Sequence, residues 1–128
     1  MAKSTVTHKD DIATLTKDLN ARLDRISHLK QNWDSYGAKP VSQEAMSISR
    51  LILPDLASRY GTPETLGAPA DGGVMAERVY SSGSLELHVE TGGRLGYRLE
   101  EGVTGELRES DTVSLEFIKS TLSELAGS

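Results

Sequence analysis

Four glycine-bearing corners divide the second half of the chain at intervals of about ten residues: Asp71-Gly72-Gly73, Ser81-Ser82-Gly83-Ser84, Thr91-Gly92-Gly93 and Glu101-Gly102. Between them the apolar residues alternate. Leu85, Leu87 and Val89 are interleaved with Glu86, His88 and Glu90, and Leu95, Tyr97 and Leu99 with Arg98 and Glu100. A period of two broken so regularly by turn residues leaves room only for short strands joined by hairpins. The expected product is an antiparallel four-stranded meander over 74–80, 85–90, 94–100 and 103–108, with one covered face and one wet face.

The first half has a different period. Ile12, Leu15, Leu19, Leu23, Ile26 and Leu29 follow steps of three and four, the stripe of an amphipathic helix starting at Asp10 and about 20 residues long. Ser42 is placed to cap a second helix whose buried side is Ala45, Ile48, Leu51, Ile52, Leu56 and Tyr60. Pro54 predicts a break or kink near Leu53, and Gly61 with Pro63 predicts the stop. Ser110 or Asp111 is the expected cap of a last helix carrying Val113, Leu115, Phe117, Ile118, Leu122 and Leu125. The fold class is therefore α+β: two N-terminal helices, the meander, and a C-terminal helix packed on one sheet face. Residues 1–9 read as a flexible N-terminus and 10–128 as a single α+β domain.

Composition excludes several activities. The absence of cysteine removes disulfides, thiolate catalysis and cysteine metal sites. A net charge of −5 argues against general nucleic-acid binding, which draws its affinity from phosphate neutralisation. The negative charge gathers in the strand region at Glu77, Glu86, Glu90, Glu100, Glu101, Glu106 and Glu109, which suggests an acidic face for a basic partner. No run approaches the ~18 apolar residues of a membrane span and the N-terminus has no apolar leader core, so the expected location is cytoplasmic. His8, His28 and His88 lack metal-ligand spacing, and no phosphate-binding or nucleophile-elbow motif occurs. No enzyme activity, metal or cofactor is expected.

The rarest residues meet in one place. Asn32-Trp33-Asp34-Ser35-Tyr36-Gly37-Ala38 contains the only tryptophan, and Pro40 follows it closely. Two readings stand side by side. In one, Trp33 returns to the apolar side of the first helix, seven residues after Ile26, and fills the gap between helices and sheet. Asp34 and Asn32 then cap the turn, Tyr36 buries its ring, and Gly37 takes the left-handed conformation. In the other, Trp33, Asp34 and Tyr36 form a recognition surface, because large aromatic rings with polar tips make good anchors.

The same heptapeptide, the helix after it, a small-residue loop and Asp71-Gly72-Gly73-Val74 opening a strand resemble a group of small bacterial and phage proteins. That group carries Asn-Trp-Asp-Gly-Tyr-Gly-Ala, is mostly uncharacterised, and occurs among mobile elements, prophages and toxin–antitoxin-like neighbourhoods. The matching stretch runs from about Leu29 to Tyr97. Ser35 replaces the group's usual glycine, which implies a backbone there without positive φ. Glu77-Arg78 stands where the resemblance implies glutamate-tryptophan.

The first expectation is a non-catalytic protein-interaction module of bacterial or phage conflict systems: antitoxin-like, anti-defence or accessory. Its partner is another protein with a basic surface, and its binding residues are Trp33, Asp34, Tyr36, Glu77 and Arg78. Asn32, Gly37 and Pro40 form the structural corner. The alternative is a small-molecule or nucleotide binding module with its pocket beside Trp33. A homodimer through the first helix or a free sheet edge is a further expectation.

Overall fold

The architecture follows from a computed structural model that describes residues 9–127. All but Lys9 of the expected flexible N-terminus lies outside the described residues. Helix α1 spans Lys9–Ser27 and buries Leu19, Leu23 and Ile26. Its last turn is closed by side chains, with Ser27 Oγ donating to the Asp24 carbonyl at 2.7 Å and His28 Nδ1 lying 2.6 Å from the same oxygen. These partners satisfy a carbonyl that a helix end leaves free.

Helix α2 spans Gln43–Tyr60. Ser42 caps it as expected, its Oγ accepting from Ala45 N at 3.1 Å and donating to Thr91 O at 2.6 Å. The expected break at Pro54 is absent, because α2 runs through it. Proline removes one helical hydrogen bond, a cost of about 3 kcal/mol. Ile52, Leu53, Leu56 and Ala57 are buried on either side of it. Each large side chain among them contributes ~1.5–3 kcal/mol, so packing outweighs the local defect.

The sheet has five strands, one more than the alternation suggested. They are β1 (Thr65–Gly67), β2 (Val74–Tyr80), β3 (Gly83–Val89), β4 (Leu95–Glu101) and β5 (Leu107–Val113), each antiparallel to the next in chain order. β1 is too short to show a period and exists through its pairing with β2, Leu66 opposite Ala76. The last strand is displaced from 103–108. Glu101 N bonds Glu106 O at 2.9 Å, Gly105 N bonds Glu101 O at 2.9 Å, and these bonds turn the chain so that pairing starts at Leu107.

Ser110 and Asp111 therefore lie within β5 and cap no helix. Ser114 caps α3 (Leu115–Gly127), accepting from Phe117 N at 3.1 Å. Helices α2 and α3 cover one face of the sheet, and α1 packs on α2 and touches β1. The core lies between, with Val74, Ala76, Leu85, Leu87, Val89 and Leu99 from the sheet against Ile52, Leu56, Ile118 and Leu122. Among the described residues no helix is long and apolar enough to cross a membrane.

Candidate functional site

Hydrogen bonds within the 32–38 corner determine its shape. Asp34 Oδ1 accepts from Tyr36 N at 2.8 Å and Ala38 N at 3.0 Å, while Asn32 Oδ1 accepts from Gly37 N at 2.6 Å. Asn32 N donates to Ala38 O at 2.6 Å and Ser35 N to Asn32 O at 3.0 Å. The capping roles expected of Asn32 and Asp34 are thus present, and Gly37 has the expected positive φ of 88°. Ser35 overturns its expectation with φ 67°, and Asn32 has φ 64°. The turn imposes the left-handed conformation at position 35 whether or not glycine stands there, at about 1–2 kcal/mol for a residue with a Cβ.

The aromatic rings do not fill the core. The helix ends at Ser27, so the seven-residue spacing from Ile26 no longer carries Trp33 to the buried side. Trp33 is 36% exposed, with its indole N–H donating to Lys39 O at 3.1 Å. Tyr36 is 91% exposed. What joins helices to sheet is the backbone just after the corner. Lys39 N donates to Ala70 O and Ser42 N to Gly72 O, both at 2.9 Å. Gly72 suits this position, with a φ of 96° and little room for a Cβ, which would stand 3.0 Å from Pro40 O and 3.1 Å from Thr91 Cγ2.

Arg78 and Glu77 lie elsewhere and on opposite faces. Arg78 is at the far end of β2 on the helix-covered side. Its Nε donates to Tyr60 O at 3.1 Å, its Nη1 pairs with the Glu64 carboxylate, and its guanidinium stacks on the Tyr80 ring at 4.5 Å from the centroid. Tyr80 donates its hydroxyl to Tyr60 O. Burial raises the Tyr80 pKa above 10.0, aided by Glu64 and Tyr60 and opposed by Arg78. Tyr60, Glu64 and Tyr80 were missed in the sequence because they come together only when β2 passes the end of α2.

Glu77 belongs to the uncovered face. There the register sets Glu77 opposite Glu86, Glu86 opposite Arg98, and Arg98 opposite Glu109, a charged row across four strands. His88 Nε2 lies 3.0 Å from Glu86 Oε1. Glu90, Glu100 and Asp111 extend the row on the same side. His88, Glu90, Glu109 and Asp111 line a shallow concavity of about 240 Å³. Six carboxylates against Arg94 and Arg98 give this face a formal −4 of the chain's −5. Glu101 and Glu106 do not contribute. Glu101 pairs with Arg108 at 3.4 Å, and Glu106 lies in the turn before β5.

None of the four main concavities among the described residues is lined by Trp33, Asp34 or Tyr36. Among the described residues no three His, Asp or Glu side chains are grouped to hold a metal ion. Comparison of the chain with protein-family models, curated proteins and solved structures gives no match.

Proposed function

We propose that this protein is a non-catalytic interaction module that docks a basic protein partner on the uncovered face of its sheet. The observation that supports it is the charge asymmetry: the face carries a formal −4, and among the described residues the helices α2 and α3 pack on the opposite face. A fold gains nothing from setting Glu77 against Glu86, since like charges directly opposite are destabilising. Such a face steers a cationic partner and repels nucleic acid. The setting, a bacterial or phage conflict system in which the chain is antitoxin-like, anti-defence or accessory, rests on the resemblance carried by residues 32–38. Tyr36 and Trp33 add an exposed aromatic contact at one end of the molecule.

The test is affinity purification from the native host at low and high salt, using wild type and a Glu86→Lys/Glu109→Lys variant whose melting temperature has been checked. A stoichiometric basic partner is expected with wild type, weakened by salt and lost with the variant. Recovery of no stoichiometric partner, or of one indifferent to both salt and charge reversal, would overturn the reading.

A further inference from the structure

The two edges of the sheet differ. At one edge β1 is only three residues long and α1 touches it. Beyond β1 the edge is closed by side chains, with Val79 N donating to Glu64 Oε1 at 2.9 Å and Val79 O accepting from Arg78 Nη1 at 3.1 Å. At the other edge β5 is seven residues long and pairs with β4 alone among the described residues. Leu107 to Thr112 are exposed, so neither face of this strand is covered. An edge left open in this way is a template for another strand.

A bulge limits the open stretch. Asp111 and Thr112 fall together opposite Gly96, between the pairs Tyr97–Ser110 and Leu95–Val113. Ser110 Oγ donates to Thr112 O and accepts from Thr112 N, each at 3.2 Å, which closes the backbone there. The regular part of the edge is therefore Leu107 to Ser110.

Charge decides what can pair with it. A second copy is a poor occupant. Two-fold pairing centred on Arg108 sets guanidinium against guanidinium, pairing centred on Glu109 sets that carboxylate against itself, and pairing centred on Ser110 sets Glu109 against Asp111. Like charges directly opposite are destabilising. A cationic segment meets the reverse arrangement. The row Glu77, Glu86, Arg98, Glu109 ends at the edge, and the next place in it, one strand spacing of about 4.8 Å beyond Glu109, suits a lysine or arginine. On the covered side, Phe117 is 40% exposed with its ring 4.9 Å from that of Tyr97, the residue opposite Ser110. An apolar side chain added opposite Ser110 falls on the same side of the sheet as Phe117.

We infer that the basic partner docks by strand addition, an extended segment of alternating basic and apolar residues pairing with Leu107 to Ser110 as a sixth strand. Its basic residues extend the uncovered face and its apolar residues the covered one. This rests on the docking of a basic partner proposed above and names the element of the partner that makes the contact. Backbone hydrogen bonds supply affinity, and the alternation supplies selectivity.

The experiment uses a blocked heptapeptide of alternating lysine and valine, titrated into the isotopically labelled full chain and followed by NMR. Saturable shifts and slowed amide exchange are expected from Leu107 to Ser110. Two further peptides carry N-methyl groups on three valine nitrogens or on three lysine nitrogens, with charge and composition unchanged. In an added strand only one of these sets faces β5, so one isomer should bind like the parent and the other should lose on the order of tenfold or more. Glu109→Lys, an exposed substitution, should weaken the parent peptide roughly fivefold. Equal binding by the two isomers, or no saturable shift from Leu107 to Ser110, would overturn strand addition. Salt-sensitive capture of a basic partner from the host, together with either of those results, would leave the charged face as the docking site and remove only the added strand.

Discussion

Glu77 and Glu86 stand directly opposite each other on the β2–β3 ladder, two like charges on the same uncovered face. On its other side Glu86 faces Arg98 of β4, and its carboxylate lies 3.0 Å from His88 Nε2. Glu77 has only Thr65 as its neighbour toward the sheet edge. Glu77→Lys turns a repulsive cross-strand pair into an attractive one and is expected to stabilise the fold by ~0.2–1 kcal/mol. Thermal melts of the two chains check this, and the same substitution should weaken capture of a basic partner. A variant that is both less stable and equally good at capture would contradict the functional account of this face.

At the corner, one carboxylate oxygen carries two backbone N–H groups, so Asp34→Ala leaves Tyr36 N and Ala38 N without their acceptor. The expected loss is about 1–3 kcal/mol, and Asp34→Asn, which keeps an oxygen at that position, should lose less. Ser35→Gly is expected to act in the opposite direction. It removes about 1–2 kcal/mol of left-handed strain and returns ~0.5–1 kcal/mol as lost chain entropy, for a net gain below about 1.5 kcal/mol. Denaturant titrations of the three variants, with Trp33 fluorescence as the local probe, would measure both signs in one series.

Pro54→Ala supplies the missing N–H within α2 without touching the buried residues on either side. The helical defect costs about 3 kcal/mol, and proline gives back ~0.4–1 kcal/mol by restricting the unfolded chain. A gain of about 2 kcal/mol is expected, read as a rise of roughly 6 °C in melting temperature for a chain of this size. No change would mean that α2 already bends to recover the lost bond.

These positions also show where sequence reading succeeds and where it stops. β3 was legible because Leu85, Leu87 and Val89 report a period of two that burial then obeys. Ser42 was legible because capping is local chemistry. The break expected at Pro54 and the cap expected at Ser110 or Asp111 are absent for one reason: local preference is overridden by partners distant in sequence, the core in one case and β4 in the other. Trp33 and Tyr36 were half legible. Their hydrogen-bonding neighbours Asn32 and Asp34 act within the segment, but the direction of the rings depends on where α1 ends. The acidic residues could be counted in advance. Which of them share a face required the register, and it excluded Glu101 and Glu106.

Ser49 lies on the buried stripe of α2 with 0% exposure, and its hydroxyl is the buried side-chain polar atom without a partner among the described residues. Its desolvation is uncompensated, which costs about 1–3 kcal/mol. Ser49→Ala removes the hydroxyl at almost constant volume and is expected to raise stability by about 1 kcal/mol, checked by chemical denaturation. A loss on substitution would reveal a hydrogen bond that forms in solution.

Alkaline pH tests the cluster around Arg78. Tyr80 is neutral when protonated, and burial lifts its pKa above the ordinary 10.0. Below pH 10 both folded and unfolded chains keep the proton, so its contribution to stability is fully present. As pH rises from about 10 toward the folded value, the unfolded chain ionises first, and stability falls. Tyr80→Phe cannot ionise. It should begin less stable at neutral pH by about 1 kcal/mol, having lost the bond to Tyr60 O, and should show a shallower decline above pH 10. Denaturation midpoints for the two chains across that range, with phenolate absorbance followed in parallel, would show the curves converging. Parallel curves would mean that Tyr80 has the same pKa in the folded and unfolded chains, the effects of burial and of Arg78 cancelling.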